Sequence, residues 1–142
     1  MSSLGKVGVV LPGGGFVCAF QIGALLALWE RKVIPEKIQG ISGGALNGAK
    51  VIESGPEALK EVWLAIEKHG PSFIFSKLDA VWHIASGQNA IYSDQGLAKL
   101  VGQFVMEKVL NSSIEFEITA RNESINKVEL FILFMKKPIL KA

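Results

Sequence analysis

The stretch Lys6-Val7-Gly8-Val9-Val10-Leu11-Pro12-Gly13-Gly14-Gly15, followed after an apolar segment by Lys37-Ile38-Gln39-Gly40-Ile41-Ser42-Gly43-Gly44, decides the fold. Each half is a short β-rich run closed by glycines, which is how a buried strand ends in a tight loop. Residues 16–31 between them are apolar on every face, with Gly23 the weakest helix former, and so predict a central helix covered on most sides and ended by Pro35. Strand, helix, strand predicts a parallel pair joined by a right-handed crossover, with both glycine loops at the same edge of the sheet.

Working outward, residues 43–52 continue as a small-residue helix that stops at Ser54-Gly55-Pro56, where Pro56 starts the next one. Residues 57–69 place Leu59, Val62, Trp63 and Ile66 at helical spacing opposite charged residues, and Gly70-Pro71 ends that helix. Residues 72–91 are aromatic and irregular, with a short helix near 78–85. Ser93 is a reasonable N-cap for a helix over 94–110, and residues 114–120 and 128–134 read as strands joined by the polar turn 122–126. This order predicts an α/β fold, a three-layer sandwich with a central, mostly parallel sheet, formed as a single domain over residues 1–142. The sequence stops just after an apolar strand with no closing helix, so the domain reads as incomplete.

Composition narrows the function classes. A net charge of +2 with both signs dispersed along the 142 residues gives no basic stripe, so nucleic acid is not expected as a partner. The single cysteine, Cys18, has no intrachain disulfide partner and fits a reducing compartment; a cytoplasmic protein is expected, with peripheral contact to a membrane surface at most. The apolar segment 16–28, broken by Gln21, would rise only about 20 Å as a helix, short of the roughly 30 Å hydrocarbon core. Read as a cleaved signal, it would take the glycine loop with it. No metal-ligand cluster stands out, and no metal or cofactor is expected.

The chemistry concentrates at Gly40-Ile41-Ser42-Gly43-Gly44. A serine hydroxyl is a weak nucleophile unless a base takes its proton, and its attack on a carbonyl creates an oxyanion that needs preplaced donors. A strand-to-helix elbow requires small neighbours, which accounts for Gly40, Gly43 and Gly44, and the helix that follows aims its free amides and dipole at the serine. Taken alone, the five residues fit equally a glycine turn whose Ser42 caps a helix. The second loop of Gly13, Gly14 and Gly15, whose amides would lie beside Ser42, makes an oxyanion hole the better reading.

These segments resemble a known family, the patatin-like phospholipases. The matching positions are Gly13-Gly14-Gly15, Ala19-Phe20-Gln21-Ile22-Gly23-Ala24-Leu25, Gly40-Ile41-Ser42-Gly43-Gly44-Ala45-Leu46-Asn47 and, more weakly, Tyr92-Ser93-Asp94-Gln95-Gly96-Leu97. The resemblance covers the chain from Lys6 to about Phe134 and corresponds to the amino-terminal part of the family's domain. It implies a lipid acyl hydrolase that cleaves fatty-acyl esters with a serine and aspartate dyad, without histidine or metal. Ser42 would be the nucleophile, and Gly13, Gly14 and Gly15 would supply the oxyanion donors. The chain departs from the pattern at Val17 and Cys18, where the family usually carries arginine then glycine. It also lacks the family's Asp-Gly-Gly or Asp-Gly-Ala, since Asp79 precedes Ala80 and Asp94 precedes Gln95. Either the sequence is part of a longer enzyme, or it is a noncatalytic lipid-binding or regulatory relative.

Rival readings are weaker. Asp79 and His83 in the order Ser, Asp, His suggest a triad, yet at i and i+4 they form one helical surface pair. His69 fits a favourable charge at a helix carboxyl end. The loop at Gly13 lacks dinucleotide spacing, because Cys18 occupies the last glycine position and no acid closes the second strand. Trp63, Phe73, Phe75 and Trp82 read as core before they read as an acyl pocket.

Overall fold

The computed structural model describes residues 5–70, 101–102, 104–122 and 124–133. The expected irregular segment 72–91, Asp79, His83, the motif at Tyr92 to Leu97 and the residues from Phe134 onward lie outside them. Two compact units are present, Met1–Leu59 with Val105–Ala142, and Lys60–Phe104, and the chain passes from the first to the second within one helix.

The first unit is built on a four-stranded sheet, β1 (Gly8–Leu11), β2 (Lys37–Ile41), β3 (Glu115–Asn122) and β4 (Lys127–Leu133), in that spatial order. β1 pairs parallel to β2 and β2 parallel to β3, while β3 and β4 form an antiparallel hairpin. The fold is therefore α/β with a mixed, mostly parallel sheet. In register, Leu11 lies beside Gly40, and Gly40 beside Ile118. The alternation of side chains along a strand puts Leu11, Ile38, Phe116 and Ile118 on one face and Lys37, Gln39, Glu115, Glu117 and Thr119 on the other. The first set makes the core, where Leu11, Ile38 and Phe116 are buried and contribute on the order of 1.5–3 kcal/mol each. On the second face, Lys37 bonds both Glu115 and the buried Glu117. That pairing offsets the cost of burying a carboxylate inside the sheet.

Between β1 and β2 runs a 3-10 turn (Gly15–Phe20) that continues as α1 (Gln21–Glu30). The helix ends in a Schellman closure: Lys32 takes φ 57°, its N–H donates to Trp29 O, and the Val33 N–H donates to Leu28 O. The stop thus precedes Pro35 and does not need it. The apolar segment is also less covered than its composition predicts. In α1 only Gln21 and Leu25 are buried, and Phe16, Val17 and Phe20 are exposed.

α2 (Gly43–His69) leaves β2 through Ser42 and is interrupted at Gly55, whose φ of 83° and ψ of 171° are not helical, with Pro56 next. This is the stop and restart that Ser54-Gly55-Pro56 predicts. Its first segment lies on the core face of the sheet so closely that a Cβ on Gly48 would come within 2.7 Å of the Phe116 ring. Small residues permit that approach, as expected of a helix packed directly on strands.

The helix expected over 94–110 is not continuous. Residues 101–102 are helical, Phe104 and Val105 are not, and α3 (Met106–Leu110) begins anew with Val105 at φ −82°, ψ 83°. The break has a tertiary cause. The Val105 N–H donates to Glu53 Oε1 at 2.8 Å, a charge-assisted bond that replaces an intrahelical one. Glu53 is in turn paired with Lys50 at 2.5 Å. In the second unit, the described part of α2 buries Ile66 and exposes His69 in its last turn.

Candidate active site

Ser42 follows the last residue of β2 and precedes the first residue of α2, at φ 53°. A left-handed backbone is uncommon for a residue with a side chain and costs on the order of 1 kcal/mol, so it persists only where neighbours enforce it. The neighbours do enforce it here. A Cβ on Gly40 would meet Ala45 Cα at 2.5 Å, and one on Gly44 would lie 2.0 Å from Leu11 O and 2.7 Å from Pro12 O. Strand β1, strand β2 and the first turn of α2 therefore approach each other at backbone contact, and the elbow between them has no room to relax. The Ser42 carbonyl accepts from the Ala45 N–H at 2.9 Å and the Leu46 N–H at 3.3 Å, which makes Ser42 the residue from which α2 starts. Its side chain is exposed.

The expected oxyanion loop stands directly beside the elbow. A Cβ on Gly13 would come within 3.1 Å of Ser42 Cβ and 3.2 Å of Ile41 O. Gly13, Gly14 and Gly15 are all exposed, and among the described residues neither the Gly13 nor the Gly14 N–H donates to a backbone acceptor. The Gly14 carbonyl accepts from the Val17 N–H at 3.1 Å, closing the 3-10 turn. The structure thus brings together every residue that the sequence singled out here: Ser42, the triple glycine, and the elbow glycines Gly40, Gly43 and Gly44.

Cys18, one of the departures from the family pattern, is accommodated by burial. Its thiol donates to Pro12 O at 3.4 Å, and its Sγ would lie 2.9 Å from a Cβ on Gly43. Cys18 therefore fills the space that a side chain at position 43 would need. Burial pushes its thiol above the ordinary range, so it stays protonated at neutral pH.

Two residues were not singled out for a role by the sequence. Gln21 and Asn47 are both buried, and they bond each other: Asn47 Nδ2 donates to Gln21 Oε1 at 2.8 Å. Gln21 Nε2 donates to Pro12 O at 2.8 Å, and Asn47 Nδ2 also donates to Cys18 O at 3.0 Å. The signal that could have found Gln21 was its place as the one polar side chain in an apolar run, because a buried amide must find partners. For Asn47 the signal was an amide within a small-residue helix. Among the described residues, no group of three His, Cys, Asp or Glu side chains is arranged to hold a metal, and no helix is long and apolar enough to cross a membrane.

Residues 9–135 match the family model of the patatin-like phospholipases. Proteins named patatin-like phospholipase domain-containing protein from Neosartorya fischeri and Aspergillus fumigatus are each 34% identical over 68 residues, covering 48% of this chain and 10% of the relative. One of the same name from Aspergillus clavatus is 36% identical over 61 residues, 43% of this chain and 9% of the relative. The chain spans about a tenth of the length of these curated relatives.

Proposed function

The chain belongs to the patatin-like phospholipase family, and from that premise we propose that it carries the nucleophile half of a serine lipid acyl hydrolase, with Ser42 as the nucleophile. The observation that supports this most is the exposed Ser42 held at φ 53° against Gly13 of the neighbouring loop. A hydroxyl presented on a strained elbow, at the start of a helix and next to Gly13 and Gly14 amides that donate to no backbone acceptor among the described residues, is suited to acyl transfer.

In this proposal Ser42 Oγ bonds to the carbonyl carbon of a fatty-acyl ester while its proton passes to a carboxylate base. The amides of Gly13, Gly14 and Gly15 hold the oxyanion of the tetrahedral intermediate. Collapse breaks the ester C–O bond, the alcohol leaves with the proton, and an acyl-serine remains. Water then attacks that ester by the same route, releasing the fatty acid and restoring Ser42. The base is the aspartate that the family resemblance implies. No Asp-Gly-Gly or Asp-Gly-Ala occurs in the 142 residues, so the proposal assigns it to polypeptide other than this sequence. With that group absent, turnover of unactivated esters falls by orders of magnitude, because the residues of a catalytic unit act together, while the oxyanion donors alone leave a residual reactivity of Ser42 toward activated esters and fluorophosphonates. The proposed setting is the cytoplasmic surface of a membrane, where acyl esters are presented.

The absent motif also favours a second reading, a noncatalytic relative that binds lipid. The two separate with an activated ester. Release of p-nitrophenolate from p-nitrophenyl butyrate, lost in Ser42→Ala, supports the nucleophile. No release by the folded chain, together with cosedimentation with phosphatidylcholine vesicles, would leave only binding.

A further inference from the structure

The Gln21 and Asn47 amides are buried and bond each other. Their bonds reach both ends of the glycine loop. Pro12, whose carbonyl accepts from Gln21 Nε2, immediately precedes Gly13; Cys18, whose carbonyl accepts from Asn47 Nδ2, follows Val17. Asn47 stands on the second turn of α2, the helix that starts from Ser42. One buried amide pair therefore ties the two ends of residues 13–17 to the element that carries the nucleophile. Only 2% of Gln21 and 1% of Asn47 is exposed, so no water replaces a lost bond without a cavity opening.

We propose that Gln21 and Asn47 are positioning residues, which set the distance between the oxyanion loop and Ser42 by clamping the loop at both ends to α2. For its catalytic consequence the clamp rests on the reading of Ser42 as nucleophile. The donor directions make the idea specific. Asn47 Nδ2 faces two acceptors, Gln21 Oε1 and Cys18 O, so a carboxylate at position 47 would set acceptor against acceptor at both. At position 21 a carboxylate still accepts from Asn47 but no longer donates to Pro12 O. Gln21→Glu thus leaves the Gly13 end with the weaker Cys18 thiol bond to Pro12 O, and Asn47→Asp releases the Val17 end together with the link between the amides.

The test is the second-order rate constant for fluorophosphonate modification of Ser42, measured per folded molecule, alongside amide hydrogen exchange over residues 13–17. Displacing a preplaced donor by about 1 Å costs on the order of a hundredfold in rate. Gln21→Glu is expected to slow modification about ten- to a hundredfold and to speed exchange in the loop, with Asn47→Asp at least as slow. Glu53→Gln is the control, since it weakens α2 away from the loop; it lowers the thermal midpoint but leaves the rate per folded molecule unchanged. If Asn47→Asp does not fold, Gln21→Glu decides, because it keeps the bond to Asn47. Equal rates and equal loop exchange in wild type and Gln21→Glu would overturn the clamp, as would a rate loss of the same size in Glu53→Gln. An unmodified wild-type chain would count against the nucleophile instead, and loop exchange in Gln21→Glu would then decide the clamp by itself.

Discussion

Ser42 and Gly55 are both places where a positive φ turns the backbone into a helical segment, and they are built in opposite ways. At Gly55, φ is 83° and, among the described residues, nothing lies within 4 Å of where a Cβ would stand, so glycine serves the backbone angle and the cause is local. At Ser42, φ is 53° on a residue with a side chain, and the surrounding glycines serve space: Gly13, Gly40, Gly43 and Gly44 would each put a Cβ within 3.1 Å of another atom. The first turn is a hinge written in three neighbouring residues. The second is a strained position enforced from β1, β2 and the loop of Gly13, Gly14 and Gly15 together. Strain held by surroundings at an exposed hydroxyl is what supports the proposal for Ser42, whereas a relaxed glycine break serves only as a connection.

The contrast can be broken most severely at Gly44. Gly44→Ala drives a methyl into the Leu11 carbonyl, which belongs to a strand and cannot yield. It should cost more than about 3 kcal/mol in urea denaturation or prevent folding altogether. Next in size is Glu53→Gln, at about 2 kcal/mol near neutral pH, since the buried carboxylate bonds both Lys50 and the Val105 N–H. Burial raises the pKa of Glu53, but the Lys50 and Val105 hydrogen bonds and the Lys50 and Lys108 charges outweigh it and hold the carboxyl below its ordinary value of 4.5. Its stabilisation is therefore complete above that pH and is lost as pH falls through the lower folded-state value. The gap between wild type and Glu53→Gln should close in that acidic window and stay constant from pH 6 to 8, as followed by denaturation at each pH.

Gly55→Ala tests the hinge side of the comparison. With no described residue near the new methyl, the backbone angle is what is penalised, and the loss should be about 1–2 kcal/mol with the fold retained. A loss as large as that of Gly44→Ala would erase the distinction. The smallest effect has the opposite sign. Ser42→Gly relieves a left-handed residue and should raise stability by up to about 1 kcal/mol while removing the hydroxyl. A destabilised Ser42→Gly would mean that the elbow is not strained.

How much of this was legible in the sequence follows the same divide. β2 runs over Lys37–Ile41 as its pattern indicates, and the break at Gly55 was readable because glycine and proline punctuate locally. The placement of Ser42 at a strand end beside a glycine loop was readable from the order of the segments. The interruption at Phe104 and Val105 was not, because the nearby Gly102 is itself helical and the cause is a carboxylate on another helix. The exposure of Phe16, Val17 and Phe20 was also hidden, since apolar composition predicts burial without saying against what. At the site, the glycines announced tight backbone and the serine announced chemistry. Gln21 and Asn47 gave only the weaker signal of amides among apolar neighbours; which acceptors they reach depends on where β1 ends.

The central claim is that Ser42 is a nucleophile, and intact mass after incubation with a fluorophosphonate tests it most directly. The account predicts one added phosphonyl group per chain, mapped by peptide fragmentation to Ser42 and absent from Ser42→Ala. A folded wild-type chain that gains no mass, or one that gains it at another residue and keeps it in Ser42→Ala, would contradict it.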